Sequence, residues 1–245
     1  MVRGIYIAAT GLLSNTRSMD VAGNNLANLD TSGYKRDVLT QRSFGEHLTY
    51  LLSPDVGTSE IGTVTHGVTS DGAVTQYSQG NVEETGRNLD FAIGGEGFFT
   101  IALPNGTALS RDGRFSLNGD GYLTDTAGNM VQGVSGPIQF NSSDFTVDGN
   151  GNIYEDGAQA GALLITCPSD PAAVQKQGEG YYSYNGATVG FTGRIVQGSL
   201  ESSNVDVTSE MAGMIADTRA FQTCAQVVRT MDEMAAKAVQ LGSLK

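Results

Sequence analysis

Apolar residues at the amino-terminal end recur on a seven-residue beat. Ile5, Leu12, Met19 and Leu26 carry it, and Ala8, Asn15, Ala22 and Leu29 fill the seam positions between them. Over roughly 25 residues this spacing predicts a helix about 38 Å long with one narrow apolar edge. Thr31-Ser32-Gly33 is turn chemistry, so the helix is expected to stop near Asp30. The carboxyl-terminal end repeats the pattern at greater length. Val207, Met211, Met214, Thr218, Phe221, Ala225, Val228, Asp232, Ala235 and Val239 follow a four-three spacing. Ser202, Ser203 and Asn204 are good N-caps for this second helix, Asp206 and Glu210 suit the positive start of its dipole, and Gly242 is a natural stop. No proline follows Pro171 to interrupt it.

Two arrangements satisfy such stripes: helices lying on the chain's own β core, or helices packed on helices. The edges here are narrow, rich in Ala, Thr and Met, and broken by Asn15 and Asp232. A wide sheet asks for a broader apolar face, whereas a helical seam tolerates a polar residue that sets register.

Between the ends the pattern changes to period two. "TIALPNGTALSR" (residues 100–111) is two alternating runs around Asn105-Gly106, a hairpin signal. "FSLNGDGYLTD" from Phe115 and "FTVDGNGNIYED" from Phe145 resemble each other, and each is expected to form a hairpin around a type I′ turn. Residues 44–79 are less regular and are expected to be an extended connecting segment. Composition sharpens this division. The formal net charge is -12, which argues against nucleic acid as a partner. Residues 44–199 carry that whole excess, together with 15 of the 18 Phe and Tyr residues, because the two ends balance at +2 and -2. A β core in the middle is where an aromatic-poor chain most needs its rings.

Candidate chemistry is sparse. "DGNGNIYEDGAQ" opens like a calcium loop with Asp148, Asn150 and Asn152, but Ile153 stands where the loop needs Gly, and Gln159 where it needs Glu. "GGEGFF" (residues 94–99) lacks the third Gly of a dinucleotide fingerprint and reads as close backbone approach in a hairpin. Glu83-Glu84 and Glu155-Asp156 are adjacent pairs that point to opposite faces of a strand, so neither is a preformed carboxylate pair for glycoside hydrolysis. His47 and His66 have no metal-ligand partner at helix spacing. Cys224 has no basic neighbour one helical turn away and reads as a packed thiol. No catalytic residue, metal or cofactor is expected. Cys167 and Cys224 do not make a disulfide framework. No apolar run suits a membrane span or a signal-peptide core.

Three stretches resemble the bacterial flagellar rod and hook proteins, the axial components of the basal body. They are "GNNLANLDTSGYKR" (residues 23–36), "LDFAIGGEGFFTI" with "SRDGRFSLNGDGYLTDTAGNMVQG" (89–101 and 110–133), and "QGSLESSNVDVTSEMAGMIADTRAFQTCAQVVRTMDEMAAKAVQLG" (197–242). The chain looks most like the two smallest members with a single β domain, and "LITCPSDPAAVQKQGEGYYSY" is closer to the proximal than to the distal rod type. The expected architecture is α+β, an antiparallel β-rich central domain flanked by long N- and C-terminal helices that pair with each other or with neighbouring subunits. Its expected segments are 1–43 (helix and turn), 44–79 (connector), 80–199 (β domain) and 200–245 (helix). The resemblance implies a structural rod subunit, partnered by copies of itself, by other rod and hook proteins, and during secretion by the flagellar export apparatus. It also implies export into the basal body without a cleaved leader. The expected assembly interface comprises Ile5, Leu12, Met19, Asn24, Asn25, Leu26 and Asn28, with Met211, Met214, Phe221, Val228, Ala235 and Val239. Asn24, Asn25 and Asn28 would offer uncharged amides to the backbones of adjacent subunits. The rival expectation is a secreted β module that binds glycan or peptidoglycan through its aromatic side chains, with an acidic hydrolase a distant third.

Overall fold

The computed structural model describes residues 2–45, 47–53, 57–140, 145–178 and 180–242, and the chain divides into two units. The first unit takes the residues up to Ala27, Asp37–Val74, and those from Asp206 onward, so both ends of the sequence belong to it. It contains helix α1 (Val2–Ala27), strands β1 (Asp37–Phe44), β2 (His47–Ser53), β3 (Gly57–Val64) and β4 (Gly67–Thr75), and helix α2 (Val207–Gly242). β1 pairs with β4 and β2 pairs antiparallel with β3, so much of the stretch read as a connector is strand. The helix expected to run towards Asp30 closes at Ala27, and residues 28–30 continue it as turn.

The second unit comprises Asn28–Arg36 and Thr75–Val205. Its strands are β5 (Val82–Glu84), β6 (Phe91–Gly94), β7 (Phe98–Leu103), β8 (Gly106–Ser110), β9 (Ser116–Leu117), β10 (Leu123–Thr124), β11 (Met130–Gly133), β12 (Gly136–Pro137) and β13 (Phe145–Val147). They continue as β14 (Asn152–Glu155), β15 (Ala158–Ala162), β16 (Ile165–Pro168), β17 (Gln175–Gly178), β18 (Tyr181–Ser183), β19 (Thr188–Val189), β20 (Arg194–Gln197) and β21 (Ser199–Glu201). The main sheet runs β17-β18-β8-β7-β11-β10-β9, with β12 beside β11 and β16 between β7 and β19. Smaller sheets join β13-β14-β15, β20-β6 and β21-β5. The α+β class holds, with antiparallel pairing in the central region.

Alternation along β7 sends consecutive rings to different cores. Phe99 packs in the main cluster with Phe91, Phe115, Leu123 and Ile153, while Phe98 packs in a smaller one with Leu109, Val174 and Tyr182. The hairpin read at Asn105-Gly106 is present, with Thr100 opposite Leu109 and Leu103 opposite Gly106.

The two similar segments also fold as hairpins, but not around type I′ turns. In each, one Asn or Asp begins a three-residue loop whose last residue is a glycine in the left-handed region. Asn118 Oδ1 accepts the Asp120 and Tyr122 N–H groups at 3.0 and 2.8 Å, and Gly121 has φ +81°. Asp148 repeats this with Asn150 and Asn152 at 2.9 and 2.8 Å, and with Gly151 at φ +88°. A third copy, missed in the sequence, begins at Asp125 and takes Ala127 and Asn129 at 2.9 and 2.8 Å. A type I′ turn needs positive φ at both central residues, whereas here a single Gly supplies it. The "calcium loop" carboxylate at Asp148 is thus occupied by backbone N–H groups and by the Asn152 amide. These bonds, with the Asn152 side chain the largest influence, hold it below the usual carboxylate range.

At the point where the second unit's two chain segments come together lies a buried ionic clamp. Glu201 at the end of β21 accepts Lys35 Nζ on Oε1 and Arg111 Nη1 on Oε2, the latter at 2.9 Å. Lys35, Glu201 and Arg111 are 0%, 1% and 5% exposed. Burial pulls the Lys35 and Arg111 cations below their ordinary ranges, and Glu201 opposes that pull. Most of the remaining donors and acceptors are matched, Arg111 Nε being the buried exception. Lys35 Nζ also reaches Ser78 O at 2.9 Å, Arg111 reaches Ile93 O and Gly95 O, and the Gly80 N–H donates to Glu201 Oε1. The Gly33 N–H donates to Glu201 O at 2.7 Å. Gly33 itself sits at φ +68°, and a Cβ there would lie 2.3 Å from the Arg111 backbone. The "TSGYK" corner and "SLESSN" are therefore the two halves of one clamp.

Candidate assembly surface

Within the first unit the two helices pair along a regular antiparallel seam. Its layers are visible where α1 is smallest. A Cβ added to Gly4 would collide with the Met231 side chain at 2.3 Å, and one on Gly11 would lie 3.2 Å from Cys224 Sγ. One heptad on, Ser18 Oγ donates to Asp217 Oδ2. The next step of the same register falls at Asn25 and Glu210, which are 1% and 6% exposed. Small residues at Gly4, Gly11 and Ser18 allow a close helix-to-helix approach, and bulkier side chains on α2 fill the space. Ile5, Leu12, Met19 and Leu26 lie beside this line, half-buried, and the Thr218 hydroxyl donates to Met19 Sδ at 3.5 Å.

On α2, Met214, Phe221, Val228 and Ala235 are half-buried, as a seam requires. The alternate positions divide, Thr218 and Ala225 being half-buried as expected and the other three not. Met211 is 51% exposed, and Asp232 and Val239 (72%) are exposed too. The residue one position earlier lines the seam at every turn, as Glu210, Asp217, Cys224 and Met231. Two of these four are acids, so a count of apolar residues passes over them.

The asparagine cluster also divides. Asn25 turns inward: its Nδ2 donates to Asp37 O at 2.8 Å, and its Oδ1 accepts the Asp37 N–H at 3.0 Å. The amide imitates a neighbouring strand at the first residue of β1, satisfying groups that would cost about 1–3 kcal/mol if buried unpaired. This corrects the expectation that Asn25 reaches outward to another subunit. Asn24 is exposed, and half-buried Asn28 caps the corner by accepting the Thr31 hydroxyl at 3.3 Å.

α1 uses a further face against β4. Thr10 Oγ1 accepts the Val68 N–H at 3.4 Å, and the Ser14 and Ser70 hydroxyls approach to 3.4 Å. Beside this contact is a groove of about 200 Å³ lined by Tyr6, Leu13, Arg17, Phe44 and Val68. Its four apolar members are 50%, 56%, 47% and 38% exposed.

α2 carries a second stripe that α1 does not cover. Gly213, Ala220, Val227, Met234 and Leu241 recur every seven residues and are all exposed, with Ala216, Thr223 and Thr230 between them. Val227, Met234 and Leu241 are 38%, 52% and 72% exposed. At 100° per residue the apolar positions form one edge, flanked on one side by Arg219 and Lys237, while Arg229, Asp232 and Glu233 fall on the side away from it. Among the described residues no three His, Cys, Asp or Glu side chains gather as a metal site, and no helix is long and apolar enough to cross a membrane.

Comparison with known proteins agrees with this division. The family model for flagellar basal body rod protein matches residues 5–35, that for the D1 domain of flagellar hook protein FlgE/F/G matches 92–155, and that for the FlgEFG rod protein C-terminal region matches 196–241. The flagellar basal-body rod protein FlgG of Bacillus subtilis is 30% identical, over 98% of this chain and 99% of its own length. FlgG of Agrobacterium fabrum is 32% identical, with 96% and 97% covered. FlgF of Caulobacter vibrioides is 29% identical, with 98% of each chain covered. With all three models matched in order and relatives aligned end to end, the chain belongs to the bacterial flagellar basal-body rod proteins.

Proposed function

We propose that the chain builds the rod of a flagellar basal body by repeated contacts of its terminal helices with copies of itself and with other rod and hook proteins. The assembled helices enclose the export channel and pass torque along the axis. The observation that carries this reading is the second stripe on α2. It is a heptad edge, apolar at Val227, Met234 and Leu241 with Lys237 at its margin, that the chain's own α1 leaves in solvent, and burying one Val, Leu or Met there contributes roughly 1.5–3 kcal/mol. The seam residues Leu12, Met19, Met214 and Phe221 shape each helix pair, and Met211 and Val239, which are exposed, are available to neighbours. Export through the flagellar secretion channel, without a cleaved leader, belongs to the same reading. The role needs no catalytic step and no cofactor.

A glycan-binding module would hold sugar on exposed rings. Among the described residues of the second unit, the exposed large apolar side chains are Met130, Val134, Leu164 and Val189, and its rings are buried or, as at Tyr77, Tyr122, Tyr154, Tyr181, Tyr184 and Phe191, half-buried. In cells of the source organism, the tagged chain is expected in detergent-extracted basal bodies, and deleting it should abolish both rods and swimming. Retention in the cytoplasm, or complete rods in its absence, would contradict the proposal.

A further inference from the structure

Asn-Gly pairs occur at Asn105-Gly106, Asn118-Gly119, Asn150-Gly151 and Asn185-Gly186. In such a pair the glycine nitrogen can attack the asparagine side-chain carbonyl, because glycine brings no side chain to hinder the approach. The sequence ranks these pairs alike, and the structure separates them.

The first three are tied down. Gly106 opens β8 opposite Leu103, so its backbone is held in the ladder. The Asn118 side chain is turned towards residues 120 and 122, whose N–H groups its Oδ1 accepts at 3.0 and 2.8 Å. The Gly151 N–H, the nucleophile for Asn150, is buried and donates to Asp148 O at 3.0 Å. Asn185-Gly186 lies between β18 and β19, with both residues exposed. Among the described residues neither the Asn185 amide nor the Gly186 N–H makes a hydrogen bond. The residues on either side are anchored instead. Tyr184 Oη donates to Ala187 O at 2.7 Å, and the Ser169 N–H donates to the same oxygen at 3.1 Å. Asn185 and Gly186 are the unbonded link between those anchors.

We propose that Asn185 is the site at which this chain deamidates, through a succinimide formed with Gly186. The Gly186 nitrogen bonds to Asn185 Cγ, its proton passes through solvent to Nδ2, and the Cγ–Nδ2 bond breaks to release ammonia. One water then opens the ring. Breaking the new bond to Cγ gives aspartate, whereas breaking the original peptide bond gives isoaspartate, in which the main chain runs through Cβ and Cγ. Either product adds a negative charge to the loop. Isoaspartate also lengthens the main chain between Tyr184 and Ala187, and so loosens the bond that joins them. Water is the only co-reactant, so the modified fraction rises with time after folding. The reaction is independent of the rod reading.

The purified chain, held folded in mildly alkaline buffer and sampled over days, tests this by mass spectrometry of each Asn-Gly peptide. Asn185 should convert roughly tenfold faster than Asn105, Asn118 or Asn150, because each of those must first open locally. Its products should separate chromatographically as an aspartate and isoaspartate pair, each carrying one label when the water is enriched in heavy oxygen. In denaturant the four rates should draw together, since the bonds that distinguish them are gone. Asn185→Gln, whose longer side chain cyclises far more slowly, should remove the fast reaction and leave the other three rates unchanged. An Asn185 no faster than the others in the folded chain would overturn the proposal. So would a ranking that persists undiminished in denaturant, because neighbouring sequence rather than structure would then set it.

Discussion

Glu201→Gln is expected to lower the stability of the β unit by about 3–5 kcal/mol, because the substitution leaves two cations buried without their shared counter-charge. The side chain keeps its shape, so packing is not the cause. Lys35 and Arg111 remain enclosed beside an amide that can still accept hydrogen bonds but cannot balance their charge. For a unit of this size the loss corresponds to roughly 10 °C in Tm, read from the near-ultraviolet signal of the tyrosines in its core. The converse substitution separates charge from volume. Lys35→Met/Arg111→Met/Glu201→Leu removes the whole ion cluster and should recover most of the lost stability, since replacing a buried ion group with apolar residues of similar size is often neutral. A parental Tm for Glu201→Gln would show that the clamp is not what ties residues 31–36 to residues 199–204.

Met214→Asp is expected to abolish incorporation into basal bodies, and Leu12→Asp to do the same. Each places a carboxylate in the half-buried α1–α2 seam, where removing the apolar side chain alone forfeits roughly 1.5–3 kcal/mol and burying an unpaired charge adds to the loss. The helical signal of the purified variant should fall and melt earlier. The near-ultraviolet transition should stay where it is, because Met214 and Leu12 belong to one unit and the aromatic core to the other. If both variants enter rods at parental levels, helix pairing is not a condition of assembly.

Much of the fold was legible because its signals are local. The Asn105-Gly106 hairpin and the two Phe-led hairpins each announce themselves within a dozen residues, and the a-type positions Met214, Phe221, Val228 and Ala235 follow directly from heptad spacing. What was not legible has a common cause. Glu210 and Asp217 fill seam slots while looking like surface acids, and Met211 looks like core while facing solvent. Gly4, Gly11 and Ser18 form the closest line of the seam and carry almost no hydrophobic signal, although their seven-residue spacing could have revealed them. The third Asx turn, at Asp125, escaped because Thr126-Ala127 lacks the extra glycine of the other two. The ionic clamp unites residues 35, 111 and 201, which no local pattern connects. Asn25 could be recognised as unusual, but its partner, the backbone of Asp37, depends on how the chain returns after the turn.

The central claim is that the outer edge of α2 is completed by other subunits rather than by its own chain. A photo-crosslinking benzoylphenylalanine placed at Val227, on that edge, tests it in intact basal bodies, with the same group at Phe221 in the inner seam as the reference. The account predicts that Val227 joins to a second copy or to another rod or hook protein, while Phe221 joins within its own chain. A Val227 probe that yields only unlinked or internally linked chains from complete rods would contradict it.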